Sequence, residues 1–409
     1  MSLFNIYKMN KKLIRGTSTF FQEKFNQTPS YHISSPGRIN LIGEHIDYNN
    51  GSVLLGTIDK AICFAISKSE TNQSTIYAKD MDAVKTFHWA ANLPIGQDTW
   101  FGYIQGVLEE FKKRKLPLCN FNMVFSSNIP MGSGLSSSAA LECGFASALN
   151  VLFDLKLSKL EIVKIGQQAE NNFAGVQCGI MDQFASVFGK KNHILQLNCD
   201  TLETEYHRIQ LDAHSLVLLN SGVKHTLLDS SYNNRREECA QGLVIIKKHF
   251  PHVNTFRDCT ENQLNSIRVE LGDTIFKRCL YVIQEINRVP QAFDALKQQD
   301  YAKLGKLLYQ SHQGLDELYE VSCPELNFLV SQTFDEPGVL GARMMGGGFG
   351  GCSINLIRKD CETAFKTKMK LAYEKEFNLP LQSYQVNLSD GTSCLLIEPN
   401  PTSQKHIEL

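Results

Sequence analysis

The sequence predicts an α+β fold of mixed sheets carrying helices, and three observations lead there. Strand-like runs rich in β-branched residues are mixed with helical stretches, without the regular strand–helix–strand beat of a doubly wound sheet. The chain has 409 residues, and single cores stop growing near roughly 250–300 residues, so more than one domain is expected. No internal repeat or low-complexity linker divides it; the pattern itself suggests a boundary near residue 205, giving domains 1–205 and 206–409.

Taken in order, residues 52–66 (SVLLGTIDKAICFAI), 74–78 (STIYA) and 121–126 (FNMVFS) read as strands. A glycine-serine loop, 132–138, precedes the alanine-rich run Ala139 to Phe153, long enough and apolar enough for a buried helix. Ser158 with Glu161 three positions on forms a capping box, and the helix it starts should run to about Phe173. HILQLN (193–198) and SLVLLN (215–220) read as strands. Helices follow from Asp229 to about His249, from Phe276 to Gln299 with Pro290 expected to kink or split it, and from Tyr301 to about Leu318. GARMMGGGFGG (341–351) leads into CSINLI, a further strand.

Composition excludes several functions. Hydrophobic content is 43% and charged content 20%, ordinary for a globular enzyme. Lys plus Arg is 41 against 42 acidic residues, a net charge of −1, so no field favours nucleic acid or an anionic membrane. Anion binding must be local. The 12 cysteines show no CxxC pair and no zinc spacing, and are expected as reduced, buried packing residues. No signal-peptide core and no apolar run of ~20 residues is present, so a cytoplasmic location is expected.

Two stretches carry chemistry. GRINLIGEHIDY (37–48) crowds Arg38, Glu44, His45, Asp47 and Tyr48 around a short apolar run. PMGSGLSSSAA (130–140) places Gly132 and Gly134, which let backbone approach a ligand, just before a helix start where unpaired N–H groups can cradle phosphate. Its serines, Ser136, Ser137 and Ser138, can cap the helix, bind phosphate or ligate Mg²⁺; on the loop alone, an ordinary serine-capped turn fits equally well. A Walker A motif and the protein-kinase HRD and DFG motifs are absent, and the loop itself reads GxGxxS, not the GxGxxG of a dinucleotide fold. Ser138 and Glu170 suit a nucleotide-bound Mg²⁺, which takes few protein oxygens. Asp182, in CGIMDQF, is then free to accept a hydroxyl proton, with Arg38 as the cation that keeps it ionised. An isolated Asp would more simply be a solvated loop residue; the motifs together argue otherwise.

These stretches resemble a known family. GRINLIGEHIDY, PMGSGLSSSAA and GARMMGGGFGG are similar, in this order, to the three motifs of the GHMP small-molecule kinases, and the first, with QQAENNFAGVQCGIMDQF (167–184), resembles the galactokinases in particular. The resemblance spans roughly residues 30–352. It implies a two-domain α/β fold with the active site between the domains and the last ~25 residues returning to the N-terminal domain. It implies transfer of the ATP γ-phosphoryl to the anomeric hydroxyl of α-D-galactose, with Mg²⁺, in a monomer. By motif, Glu44, His45, Ile46, Asp47, Gly179 and Tyr232 match sugar-binding positions. Gly132, Ser133, Gly134, Leu135, Ser136, Ser137 and Ser138 match the ATP loop, and Trp100 an adenine neighbour. Ser138 and Glu170 match the metal ligands, Asp182 the catalytic aspartate and Arg38 its partner. Ala78 stands where the family often has a nucleotide-binding serine. Whether such an aspartate removes the proton or orients the hydroxyl stays open. So do two other functions: the same chemistry on a related sugar such as N-acetylgalactosamine, and a sugar and ATP sensor without turnover, against which the intact GLSSSAA argues. His249 and His252 are expected at the surface, the run Arg235–Glu238 as a solvated helix face, and Cys178 and Cys352 as small packing residues.

Overall fold

The computed structural model describes residues 6–91, 99–130, 132–175, 177–224, 228–397 and 404–407. The strands are β1 (Tyr31–Ile42), β2 (Ser52–Lys68), β3 (Ser74–Ala78), β4 (Ala83–Phe87), β5 (Phe121–Ser127), β6 (His193–Asn198), β7 (Thr204–Arg208), β8 (His214–Lys224), β9 (Val339–Met345), β10 (Gly350–Arg358), β11 (Gln382–Gln385), β12 (Ser393–Ile397) and β13 (Gln404–Ile407). The helices are α1 (Ile6–Phe25), α2 (Thr99–Lys113), α3 (Ser137–Leu152), α4 (Lys159–Ala169), α5 (Met181–Phe188), α6 (Leu228–His249), α7 (Glu261–Ser266), α8 (Arg268–Lys297), α9 (Tyr301–Gln313), α10 (Pro324–Ser331) and α11 (Glu362–Phe377).

Two sheets organise them. The larger runs β13-β12-β1-β2-β5-β3-β4, with β6 branching from β2 and carrying β7. The smaller runs β11-β8-β10-β9. All pairings in both are antiparallel except β3 with β5. Residue 205 lies inside β7, so sheet membership changes later, between Arg208 and His214. The chain ends back in the larger sheet, where β12 pairs with β1.

The long β1–β2 pair is the spine of the larger sheet. β1 is almost wholly buried, so it lacks the in–out alternation of a half-exposed strand. Its pairing with β2 slips between Pro36 and Arg38 and again between Asn40 and Ile42. Such bulges re-aim side chains, and Arg38 stands between the two. Helix α3 packs on β1 and β2, while α1 covers β2 and β5.

The Ser158–Glu161 capping box forms as expected, starting α4. The helix ends at Ala169 and passes into a π-helical turn, Glu170–Ala174. A second π turn, Gly314–Leu318, follows α9. Pro290 does not split its helix: α8 stays helical through it, and the one non-helical residue inside is Gly272. Around Pro290, the burial of Val289, Ala292 and Phe293 holds the helix. Gly272 has φ +70°, a conformation that suits glycine. Among the described residues no helix is long and apolar enough to cross a membrane. The twelve cysteines are free thiols, most of them buried.

Candidate active site

Three loop stretches, with residues from α5, α6 and the π turn after α4, meet beside β1. The first is the loop that follows it. Gly43 to Asn49 turns through a left-handed His45 (φ 61°) and a 3₁₀ turn, Asp47–Asn49. Glu44, His45 and Asp47 are all buried. One oxygen of each carboxylate, Glu44 Oε2 and Asp47 Oδ1, is buried with no hydrogen-bond partner, as is Asn40 Oδ1. Buried acceptors without donors are costly, and carboxylate oxygens left open on one loop suit a ligand that brings hydroxyls. Asp47 sits against Gly179: a Cβ built there would stand 1.9 Å from Asp47 Oδ2, so only glycine lets the two approach. Burial first, then the Asp182 and Glu44 charges, push the Asp47 carboxyl up to about 7.

His45 is held on both nitrogens. Nε2 lies 3.2 Å from the Gly347 carbonyl and Nδ1 2.7 Å from the Tyr48 hydroxyl. Burial lowers its pKa to about 3, so the ring is neutral. A carbonyl only accepts, so Nε2 carries the proton and Tyr48 donates to Nδ1. The Tyr48 hydroxyl then accepts from Tyr319 (2.9 Å), which in turn accepts from the Cys239 thiol (3.1 Å). His45 therefore orders an aromatic wall with Tyr48, Tyr232 and Tyr319, whose rings lie 5.0–5.9 Å from its own. Its nitrogens are committed to the protein and not to a sugar. The Ile46 side chain is fully buried, and its carbonyl accepts from the Asn49 and Gly51 amides, a scaffold role. Tyr232, on α6, completes the wall, 5.5 Å from Tyr48.

The second segment is the glycine-serine loop. Gly132 and Gly134 have φ +69° and +71°, and Ser136 is left-handed at φ 55°. Helix α3 starts at Ser137 without the expected serine cap. The hydroxyls point elsewhere: Ser136 donates to Asp182 Oδ2 (2.6 Å), Ser138 to Glu170 Oε1 (2.8 Å) and Ser133 to the Pro130 carbonyl (2.6 Å). The Ser137 hydroxyl takes no partner among the described residues. The N-terminal amides of α3 stay open to an anion, in line with the phosphate reading. Leu135 is buried and its carbonyl accepts from Arg38 N.

Arg38 and Asp182 form a bidentate pair. Nε and Nη2 reach Oδ1 and Oδ2 at 2.7 and 2.9 Å, while Nη1 donates to the Gly134 carbonyl (2.6 Å). Arg38 is buried, whereas Asp182 keeps 22% side-chain exposure. Burial pulls the guanidinium pKa down, but the Asp182 and Glu44 charges outweigh it and leave it raised. With three donors already on Asp182, a lone pair of Oδ1 remains for one more hydrogen. This pair lies between the sugar-side acceptors and the loop.

Glu170 opens the π turn. It accepts from Ser138 on Oε1 and from Gln183 Nε2 (2.6 Å) on Oε2. It is buried with no cation beside it, and burial, then Asp182, raise its pKa to about 7. Glu142, one turn along α3 from Ser138, is fully buried with Oε1 unpaired. Arg38 pairs with Asp182 and Arg343 with Glu44, while Glu142 and Glu170 lie together without such a partner, and burial raises the pKa of both. Among the described residues no cluster of three or more His, Cys, Asp or Glu could hold a metal alone. Ser138 and Glu170 therefore fit an ion that takes its other ligands from phosphate and water.

The third stretch, Gly346–Gly351, ties the two loops together. Gly346 N donates to Glu44 Oε1 (2.7 Å) and Gly347 O holds His45. A Cβ on Gly346 would lie 3.3 Å from the Gly134 carbonyl. The expected close turn against the glycine-serine loop is thus present. Trp100 opens α2, its ring packed 5.5 Å from Phe101 and 5.6 Å from Phe125. Arg235, expected on a solvated face, is used in packing: it donates to the Tyr319 and Glu320 carbonyls, and Arg236 to that of Gln177. Sequence reasoning missed Arg343, Tyr319, Gln183 and Glu142. GARMM and MDQF carried two of these, but nothing local marks which partners they meet.

This geometry sets buried, unpartnered acceptors near a glycine-serine loop, with the Arg38–Asp182 pair joined to that loop. Comparisons with known proteins agree. The galactokinase galactose-binding signature matches residues 19–68, the GHMP kinases N terminal domain residues 102–190 and the GHMP kinases C terminal domain residues 292–375. A galactokinase of Thermotoga neapolitana is 41% identical over 359 residues, 88% of this chain and 98% of the relative. One from Clostridium acetobutylicum is 35% identical over 377 residues, 90% of this chain and 97% of the relative. The structure of Lactococcus lactis galactokinase complexed with galactose superposes with a TM-score of 0.86 at 32% identity, covering 92% of this chain and 98% of that one. A mevalonate kinase of Methanococcus jannaschii shares the fold at TM-score 0.63 and 19% identity, covering 88% and 98%. With the motif loops assembled around β1 and these relatives matched over most of its length, the chain belongs to the galactokinase family of the GHMP kinases.

Proposed function

We propose that this protein phosphorylates α-D-galactose at its anomeric hydroxyl with ATP. The observation that carries this is the Arg38–Asp182 pair, set between the unpartnered acceptors of Glu44 and Asp47 and the glycine-serine loop. The galactokinase relatives support the choice of sugar. Sugar hydroxyls meet Glu44 Oε2 and Asp47 Oδ1, against the wall of His45 and Tyr232 and beside the Gly179 backbone. The loop from Gly132 to Ser138 takes the ATP phosphates, with Trp100 on the adenine side. As the anomeric oxygen attacks the γ-phosphorus, its proton passes to Asp182 Oδ1, the new O–P bond forms, and the bond to the bridging oxygen of ADP breaks. Arg38 holds both oxygens of Asp182 in place and faces the charge that builds on the moving phosphoryl group. Ser138 and Glu170 would hold Mg²⁺, which neutralises phosphate charge when bound.

The same reading takes the chain as a monomer in the cytoplasm, to which the free thiols lend support. It divides the chain near residues 209–213, with β12 and β13 counted in the N-terminal domain. The test is formation of sugar 1-phosphate from galactose, dependent on ATP and Mg²⁺, with N-acetylgalactosamine, galacturonate and arabinose alongside. Turnover of galactose well above the others is expected. Turnover of another sugar alone would reassign the substrate, and binding without turnover would make the protein a sensor.

A further inference from the structure

We infer that Arg343, from the strand of the smaller sheet, is a positioning residue that fixes which oxygen of Glu44 meets the sugar. This rests on the galactose reading of the site. Arg343 is 0% exposed, and its fork is fully committed. Nε donates to the Leu41 carbonyl (2.8 Å), Nη1 to that of Met344 (2.6 Å), and Nη2 both to Asn40 O and to Glu44 Oε1, the last at 3.1 Å. Gly346 N adds a second donor to the same Oε1 at 2.7 Å. Two donors fill the two lone pairs of Oε1. The carboxylate cannot turn without breaking both bonds, which leaves Oε2, buried and unpartnered, as its one acceptor for a sugar hydroxyl.

The backbone beneath is held by other groups. Tyr281 donates to the Glu44 carbonyl (2.9 Å). Glu285 Oε1 accepts from Gly43 N (3.0 Å) and from Ser311 (2.7 Å). Residues 43 and 44 therefore have backbone supports of their own; Arg343 braces the carbonyls of Asn40, Leu41 and Met344, and its contribution at Glu44 is the direction of the carboxylate. A lysine would keep the charge but could not span three carbonyls and Oε1 with a single ammonium.

A site that fixes an acceptor on one hydroxyl rejects the analogue lacking it, because the acceptor is left unpaired. The experiment measures kcat and KM for galactose and for its 2-, 3-, 4- and 6-deoxy forms, and KM for ATP, in wild type, R343K, E44Q and Y281F. In wild type one deoxysugar should lose kcat/KM by on the order of 10²-fold or more through Glu44. In R343K the penalty on that sugar alone should shrink about tenfold while galactose KM rises and ATP KM holds. In E44Q the amide oxygen stays with Arg343 and Gly346 N, the NH₂ faces the sugar, and the same penalty should vanish. Y281F should leave the pattern as in wild type. A folded R343K that keeps the wild-type pattern, or loses activity evenly across the panel, overturns the inference. If R343K fails to fold, E44Q decides: an unchanged penalty there overturns it equally. Wild type without galactose turnover would instead sink the substrate reading.

Discussion

At the scale of single residues, the proposed function assigns different work to the Arg38–Asp182 pair and to the carboxylates of Glu44 and Asp47. Arg38 touches Asp182 with two nitrogens and the loop carbonyl of Gly134 with the third. Its charge is needed most when the phosphoryl group moves, so Arg38→Ala should lower kcat more than it raises galactose KM. Asp182→Ala should lower kcat by roughly 10²–10⁴-fold with substrate binding retained. Steady-state kinetics with equilibrium binding of each substrate check both. Near-normal kcat in the aspartate variant would remove it from proton transfer, and a pure KM effect would move Arg38 to binding. Tyr48 shows the other kind of role. Its hydroxyl donates to His45 and accepts from Tyr319, so Tyr48→Phe leaves a buried nitrogen without its donor. The expected cost is about 1–3 kcal/mol of stability by denaturant unfolding, with galactose KM raised and ATP KM unchanged. Unchanged KM values for both substrates would disconnect this chain from the sugar pocket.

At the scale of elements, what the sequence made legible followed local rules. The strand read at 193–198 is β6, and the Ser158–Glu161 box is a real helix start, because alternation and capping act over a few residues. Pro290 did not split its helix, and the Ser136 and Ser138 hydroxyls donate to the carboxylates of Asp182 and Glu170 while none caps α3. Helices α1, α2, α5, α7, α10 and α11 went unread, although α11 buries Phe365, Met369 and Tyr373 at four-residue spacing. The motif residues were legible through resemblance. Their second partners were not: Arg343 and Glu44 lie 299 residues apart, and no local pattern encodes such a pairing. α1 offers a test of an element remote from the chemistry. Its Phe21 is fully buried against Ala65 and Val124. Phe21→Ala should cost about 3–5 kcal/mol in urea unfolding while kcat and both KM values hold at 25 °C. A changed kcat in the folded variant would tie the helix to the active site.

For the whole molecule, pH stability depends on two opposed sets of buried groups. Asp47 and Glu170 have pKa values raised to about 7, and that of Glu142 is raised further. From about pH 4.5 to 7 the folded state binds protons on these carboxyls that the unfolded chain has lost, so they make stability fall as pH rises. His45 is lowered to about 3, and His32 and His312 to about 4. Below the ordinary histidine value near 6.5 the unfolded chain binds protons on these rings that the folded state refuses, so they make stability rise with pH. Three carboxyls against three histidines should leave the substrate-free protein nearly flat between about pH 5 and 6. Above about 6.5 the histidines no longer contribute and stability should decline towards pH 7 and beyond. Asp47→Asn removes one falling contribution, so across pH 5–6 its unfolding free energy should rise relative to wild type by about 1.4 kcal/mol per pH unit. Urea unfolding of both proteins at several pH values measures the difference, and parallel curves would mean that Asp47 is already ionised in the free enzyme. Galactose should act in the opposite sense at neutral pH. A hydroxyl donated to Asp47 Oδ1 favours the charged carboxylate, so sugar binding to wild type should release protons near pH 7, and binding to the asparagine variant should release fewer. Calorimetry in buffers of different ionisation enthalpy reads that proton count directly, and an equal count in the two proteins would place the sugar away from Asp47.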